Sequence, residues 1–164
     1  MHHDALLDAM IRLYAGEAKR INHFLKVYAL AQTIALQEQV SNEMLSVIET
    51  VAICHDIGIH ISEKKYGQCT FAMQQSEGAV EGRKLLSSLG YPAQLLERVC
   101  HIIAFHHTFD AIDGLDFQIL VEADLLVNLD EKQSDATQIE HMRNTVFKTP
   151  TGIKYLTLLF HHRG

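Results

Sequence analysis

Apolar residues recur at intervals of three and four almost from one end of this chain to the other, and only two prolines, Pro92 and Pro150, interrupt the rhythm. That spacing matches the 3.6-residue turn of an α-helix, whereas a strand needs alternation at two. No segment alternates well enough to compete. The fold class expected is all-α, a compact bundle of about seven or eight helices. The 164 residues, nearly half of them hydrophobic, suit one domain with a sizeable core.

The periodicity divides the chain. A first amphipathic segment covers about 4–15 and a second about 18–39, where Ile21, Phe24, Leu25, Tyr28, Ala31 and Ile34 recur. A third follows the Ser41-Asn42 cap and runs to Ile57, before Gly58. Residues 59–70 are polar and irregular and read as a loop. A fourth helix spans Phe71 to Leu89 and stops at Gly90; Pro92 opens a fifth that ends near His107. After a loop at 110–116, a sixth runs from Phe117 to about Asp130. Two more helices, within about 135–162, complete the chain.

Composition narrows the partners. The formal charge is −6 with acids and bases interspersed, and no basic block points to a nucleic-acid polymer. The N-terminus lacks a basic-then-apolar pattern and no apolar run approaches the roughly 20 residues of a membrane span, so no membrane partner is expected. Cys54, Cys69 and Cys100 are odd in number and form no CxxC pair, which fits a reducing, cytoplasmic setting. Homodimers are common at this size, although no interface stripe stands out. Histidine is the anomaly, with eleven copies. His2, His3, His161 and His162 lie at the termini and read as terminal ornament.

Several ionisable residues fall on apolar faces. His23 shares a stripe with Val27, Leu30 and Ile34. His55 follows Ile48, Val51 and Ala52, with Asp56 beside it at the helix end. His106 shares a face with Val99, Ile102 and Ile103. Asp124, within QILVEADLLVNL, lies on the face of Leu120, Val121 and Val127, and the nearest cation in sequence is Lys132. A buried carboxylate without a partner is very costly. Taken singly, these residues have ordinary explanations. An inward histidine commonly hydrogen-bonds within a core, a His-Asp pair can be a helix end, and Asp124 can accept a bond from a neighbouring helix. Taken together, they suit a divalent cation ligated from several helices.

Four motifs carry a resemblance: HFLKV at 23–27, HDIG at 55–58, AFHHT at 104–108 and EADLLVN at 122–128. In this order, over about residues 18–131, they resemble the HD-domain superfamily of metal-dependent phosphohydrolases. The resemblance implies a metal held by His23, His55, Asp56 and Asp124. Two-metal relatives use further histidines, and His106 or His107 matches the later of these. The earlier one has no counterpart in FAMQQSEGA, where Gln74 or Glu77 takes its neighbourhood. One ion is expected, with room for a second; Mn, Fe, Co, Ni, Zn and Mg are not distinguished.

The implied reaction is hydrolysis of a small phosphate ester, a nucleotide, by a metal-activated water. Asp56 would serve both metal and reaction. His107 or Glu77 would move the proton, and Lys65, with Lys64 and Tyr66 in SEKKY, would meet the phosphate. Arg20 and Lys26 near His23 are further phosphate candidates, although Arg20 can pair with an acid instead. His60 lies where it could reach substrate. His101 lies five residues before His106, about 140° away around the helix, and is placed outside the site. Two other readings stay open: an HD-fold di-iron oxygenase, and a non-catalytic domain that binds a ligand or signals.

Overall fold

The computed structural model describes residues 3–161. Among these there are nine α-helical segments and no strand: α1 Asp4–Leu13, α2 Ala18–Gln37, α3 Asn42–Cys54, α4 Gly58–Tyr66, α5 Phe71–Ser88, α6 Ala93–Phe105, α7 Leu115–Glu131, α8 Ala136–Thr145 and α9 Pro150–Leu159. Segments α3 and α4 run on as one stretch, Asn42–Tyr66, so the bundle has eight helical bodies. The caps are local chemistry. Ser41 accepts from Met44 N–H and Thr70 from Met73 N–H, each at 3.2 Å. Asp135 and Gln138 form a reciprocal capping box, and Pro150 follows the Thr149 cap.

Helix α7 forms the centre. It is buried around most of its circumference and packs on α2, α3 and α9. Polar residues placed on it are carried into the interior, as Asp124 is. The Asn42–Tyr66 stretch is long and apolar enough to cross a membrane, contrary to the expectation that no run comes close. However, 56% of its most apolar window is buried inside the fold, which marks a core helix.

Residues 59–70 are not a loop. Most of that segment is α4, whose buried residues are Gly58 and Ser62. A stripe made of glycine and serine carries no apolar signal, so hydrophobic periodicity misses it. The end signals are present in sequence, with Lys64 and Lys65 in the last turn and Gly67 at φ 69° closing it. Gly58 is required by packing. A β-carbon there would lie 2.1 Å from the Gln74 carbonyl oxygen and 2.6 Å from Gly78 N, so α4 and α5 meet backbone to backbone.

His3 is also not ornamental. It is buried, with Nε2 3.1 Å from Glu49 Oε2 and Nδ1 3.0 Å from the Tyr91 hydroxyl. Gln32 donates to the other Glu49 oxygen at 2.5 Å. This cluster pins the start of α1 to α3. His2 and His162 lie outside the described residues.

Glu122, on α7, is fully buried and ties down the C-terminal helices. Its Oε1 accepts from Gln118 at 2.8 Å and from the backbone N–H groups of Lys148 and Thr149 at 2.6 and 2.9 Å; Oε2 accepts from the Thr149 hydroxyl. The carboxylate therefore sits at the N-terminus of α9, where N–H groups and the helix dipole favour negative charge.

Candidate metal centre

Three imidazoles and two carboxylates converge where α2, the α3–α4 turn, α6 and α7 meet. His23 comes from α2, His55 and Asp56 from the turn, His106 from the end of α6, and Asp124 from the middle of α7. His23 Nε2 lies 3.1 Å from Asp124 Oδ1 and 3.5 Å from Asp56 Oδ2. His55 Nε2 lies 3.4 Å from each of Asp56 Oδ2 and Asp124 Oδ1. His106 Nε2 lies 3.5 Å from Asp56 Oδ1.

The outer nitrogens fix the tautomers. His55 Nδ1 donates to Ala52 O at 3.0 Å, and His106 Nδ1 donates to Ile103 O at 2.8 Å. His23 Nδ1 donates to Glu131 Oε2 at 3.0 Å. Each Nε2 therefore points at the carboxylates, the His23 Nε2–Asp124 Oδ1 contact being a hydrogen bond, and only a proton or a metal ion can stand between them. His55 Nε2 is buried and makes no hydrogen bond, although two carboxylate oxygens stand within ion-pairing reach. Acceptors facing acceptors need a cation between them.

Without a metal, protons fill that need. Burial pulls the His55 imidazole down, but the Asp56 and Asp124 charges outweigh it and hold the group well above its ordinary value. His23 is raised in the same way, with Asp124 overcoming burial. The carboxylates answer in kind. Burial pushes Asp56 and Asp124 up, yet their imidazole neighbours bring both below the usual range. The donor set fits a divalent transition metal: neutral imidazole nitrogens, ionised carboxylates, and outer hydrogen bonds that orient the rings. Ligand atoms of His23, His55 and Asp56 lie within 4.8 Å of one another, as do those of Asp56, His106 and His107.

The remaining candidates divide. Glu77 and Lys65 pair with each other at 2.8 Å, and the Tyr66 hydroxyl donates to the same Glu77 oxygen at 2.6 Å. These partners hold Glu77 below the usual carboxylate value, the wrong direction for a base. Gln74, one turn earlier on α5, is the residue that reaches Asp56 and His106. His107 is pushed down to about 4 by burial and by His106, and its ring packs on Phe71 with centroids 4.2 Å apart. His60 lies on α4 against Tyr14, and His101 pairs with Asp113 at 3.2 Å. Arg20 is held by Glu17 and Glu63, at 2.9 and 2.7 Å.

Sequence reasoning passed over Asn128 and Glu131. Asn128 donates to Asp124 Oδ1 at 2.8 Å. Both residues follow Asp124 by helical intervals of four and seven, so period alone could have found them. Tyr14, whose hydroxyl donates to the Asp56 carbonyl at 2.7 Å, left no such signal. His23 and Asp56 open on a cleft of about 500 Å³ whose walls include Lys19, Arg20 and Lys26.

Comparison with known proteins gives the family and the fold. The HD domain family matches residues 20–141, a span that contains every residue of the convergent cluster. The chain belongs to the HD domain family, a family of metal-dependent hydrolases. Its fold is shared by a protein described as a predicted HD superfamily hydrolase from an uncultured Thermotogales bacterium. The two superpose with a TM-score of 0.69 at 21% identity, covering 97% of this chain and 86% of that one. No curated protein matches the chain in sequence.

Proposed function

We propose that this protein hydrolyses a small phosphate ester, most simply a nucleotide, at a divalent-metal centre held by His23, His55, Asp56 and Asp124. The observation that carries the reading is His55 Nε2, a buried ring nitrogen with no hydrogen-bond partner, 3.4 Å from two carboxylates. A divalent ion bound there lowers the pKa of water and offsets phosphoryl charge.

The chain's own groups suit an anionic substrate. Of the three cations on the cleft, Arg20 and Lys26 face acids, Lys26 at 3.5 Å from Glu131. Lys19 has no acid within ion-pairing distance among the described residues, which leaves its ammonium for a phosphate. Phe71 is 62% exposed and packs at a tilt against His107, leaving its outer face for a nucleobase. His107 Nε2 is buried without a partner beside His106, and its lowered pKa keeps the ring neutral, suited to accept a proton from the attacking water.

The test is phosphate release from a panel of nucleotides and sugar phosphates with Mn(II), Co(II) or Mg(II). Release that stops on chelation is expected, and Phe71→Ala should raise KM for nucleotides more than for sugar phosphates. Oxygen consumption without phosphate release would assign an oxygenase instead. Nucleotide binding with no turnover under any metal would assign a binding module.

Glu131 should act through His23. Glu131→Ala is expected to weaken Mn(II) affinity roughly 10- to 100-fold, the usual effect of losing a carboxylate that orients a metal-bound imidazole. Glu131→Gln keeps an acceptor for Nδ1–H and should retain most of the affinity. Chelator competition measures both; equal losses would trace the effect to charge near Lys26 rather than to the hydrogen bond.

A further inference from the structure

Two groups of ligand atoms share Asp56, one with His23 and His55, the other with His106 and His107. In the first, His55 Nε2 is buried and makes no hydrogen bond, although two carboxylate oxygens lie 3.4 Å away. The second is already occupied by a side chain. Gln74, 5% exposed, donates from Nε2 to Asp56 Oδ1, and the same nitrogen lies 3.3 Å from His106 Nε2. Because His106 carries its proton on Nδ1, toward Ile103 O, its Nε2 is an acceptor. The amide's two N–H bonds thus meet two acceptors. The opposite amide orientation would set a carbonyl oxygen against both, so the orientation follows from the surroundings.

We propose that Gln74 limits this centre to one ion, its amide nitrogen satisfying Asp56 and His106 in the place a second metal would take. The inference rests on the metal-centre reading of the first group. A second ion would need the same two lone pairs. To enter, it must break a hydrogen bond to an ionised carboxylate and another to an imidazole, inside the protein, and leave the amide unpaired. His107 adds only one further donor. The position of Gln74 is set by the fold, since its backbone carbonyl lies against Gly58, two residues from Asp56, at the α4–α5 contact.

The experiment is Mn(II) loading of the untagged full chain, dialysis, metal content by mass spectrometry, and electron paramagnetic resonance. Wild type should retain one ion with the spectrum of isolated Mn(II). Gln74→His and Gln74→Glu, each replacing a donor with an acceptor, should retain two ions with an exchange-coupled spectrum, because Asp56 would join them. Two reshaped side chains guard against one misfolded variant, and circular dichroism checks both. A wild type that holds two coupled ions overturns the inference and leaves the metal reading intact. So do folded variants that both stay at one ion. A wild type that holds none overturns the metal reading, and the inference with it.

Discussion

Asp56→Ala is expected to abolish metal retention and to lower kcat/KM by on the order of 10³-fold or more. The basis is geometric. One carboxylate faces His23 and His55 with Oδ2 and His106 and Gln74 with Oδ1, so it is the only residue common to both ligand groups. A catalytic metal stabilises phosphoryl transfer by several kcal/mol, and each 1.4 kcal/mol is about tenfold in rate. Metal content is the first readout, since it does not depend on choosing the right substrate. Asp56→Asn separates charge from shape: it keeps one oxygen toward the imidazoles and should bind metal weakly rather than not at all. A folded Asp56→Ala protein with full metal content and full turnover would sink the proposed centre.

The second large effect lies away from the cleft. Glu122→Ala should destabilise the protein by about 3–5 kcal/mol, the range for breaking a buried polar network. For a chain of this length that is a fall in Tm on the order of 10 °C. Removing the carboxylate strands the Lys148 and Thr149 N–H groups and the Thr149 hydroxyl, and leaves the Gln118 amide with the Val146 carbonyl as its remaining partner. Water cannot replace it without opening the seam between α7 and α9, because Glu122 is wholly buried. The packing is close enough that a β-carbon at Gly152 would lie 2.0 Å from Glu122 Oε2. Glu122→Gln keeps an oxygen for the three donors at Oε1 and should cost less. Thermal unfolding of the two variants, with metal content measured alongside, distinguishes this structural role. Loss of metal in a protein of unchanged Tm would contradict it.

The all-α class, the helix caps and the inward faces of His23, His55, His106 and Asp124 could be read from the chain, because helical period and capping are local properties. The HD family assignment rested on the same motifs. Local pattern failed wherever burial did not involve apolar residues. Helix α4 hides behind Gly58 and Ser62. His3 looked like a terminal residue, and only the positions of Glu49 and Tyr91, far along the chain, make it part of the interior. Glu122 sat unassigned within EADLLVN because its partners are Gln118, Lys148 and Thr149, the last two far along the chain.

The choice between Gln74 and Glu77 shows the boundary most clearly. The two lie three residues apart on α5, about 60° of helix rotation, and either could have been the residue beside the histidines. The glycine contact between α4 and α5 sets the rotation at which the helices meet. That rotation carries Gln74 to Asp56 and His106 and leaves Glu77 to Lys65 and Tyr66. Residue spacing specifies which faces of a helix can be buried; which side chain on that face meets which partner depends on where two backbones touch, and that is a property of the packed molecule.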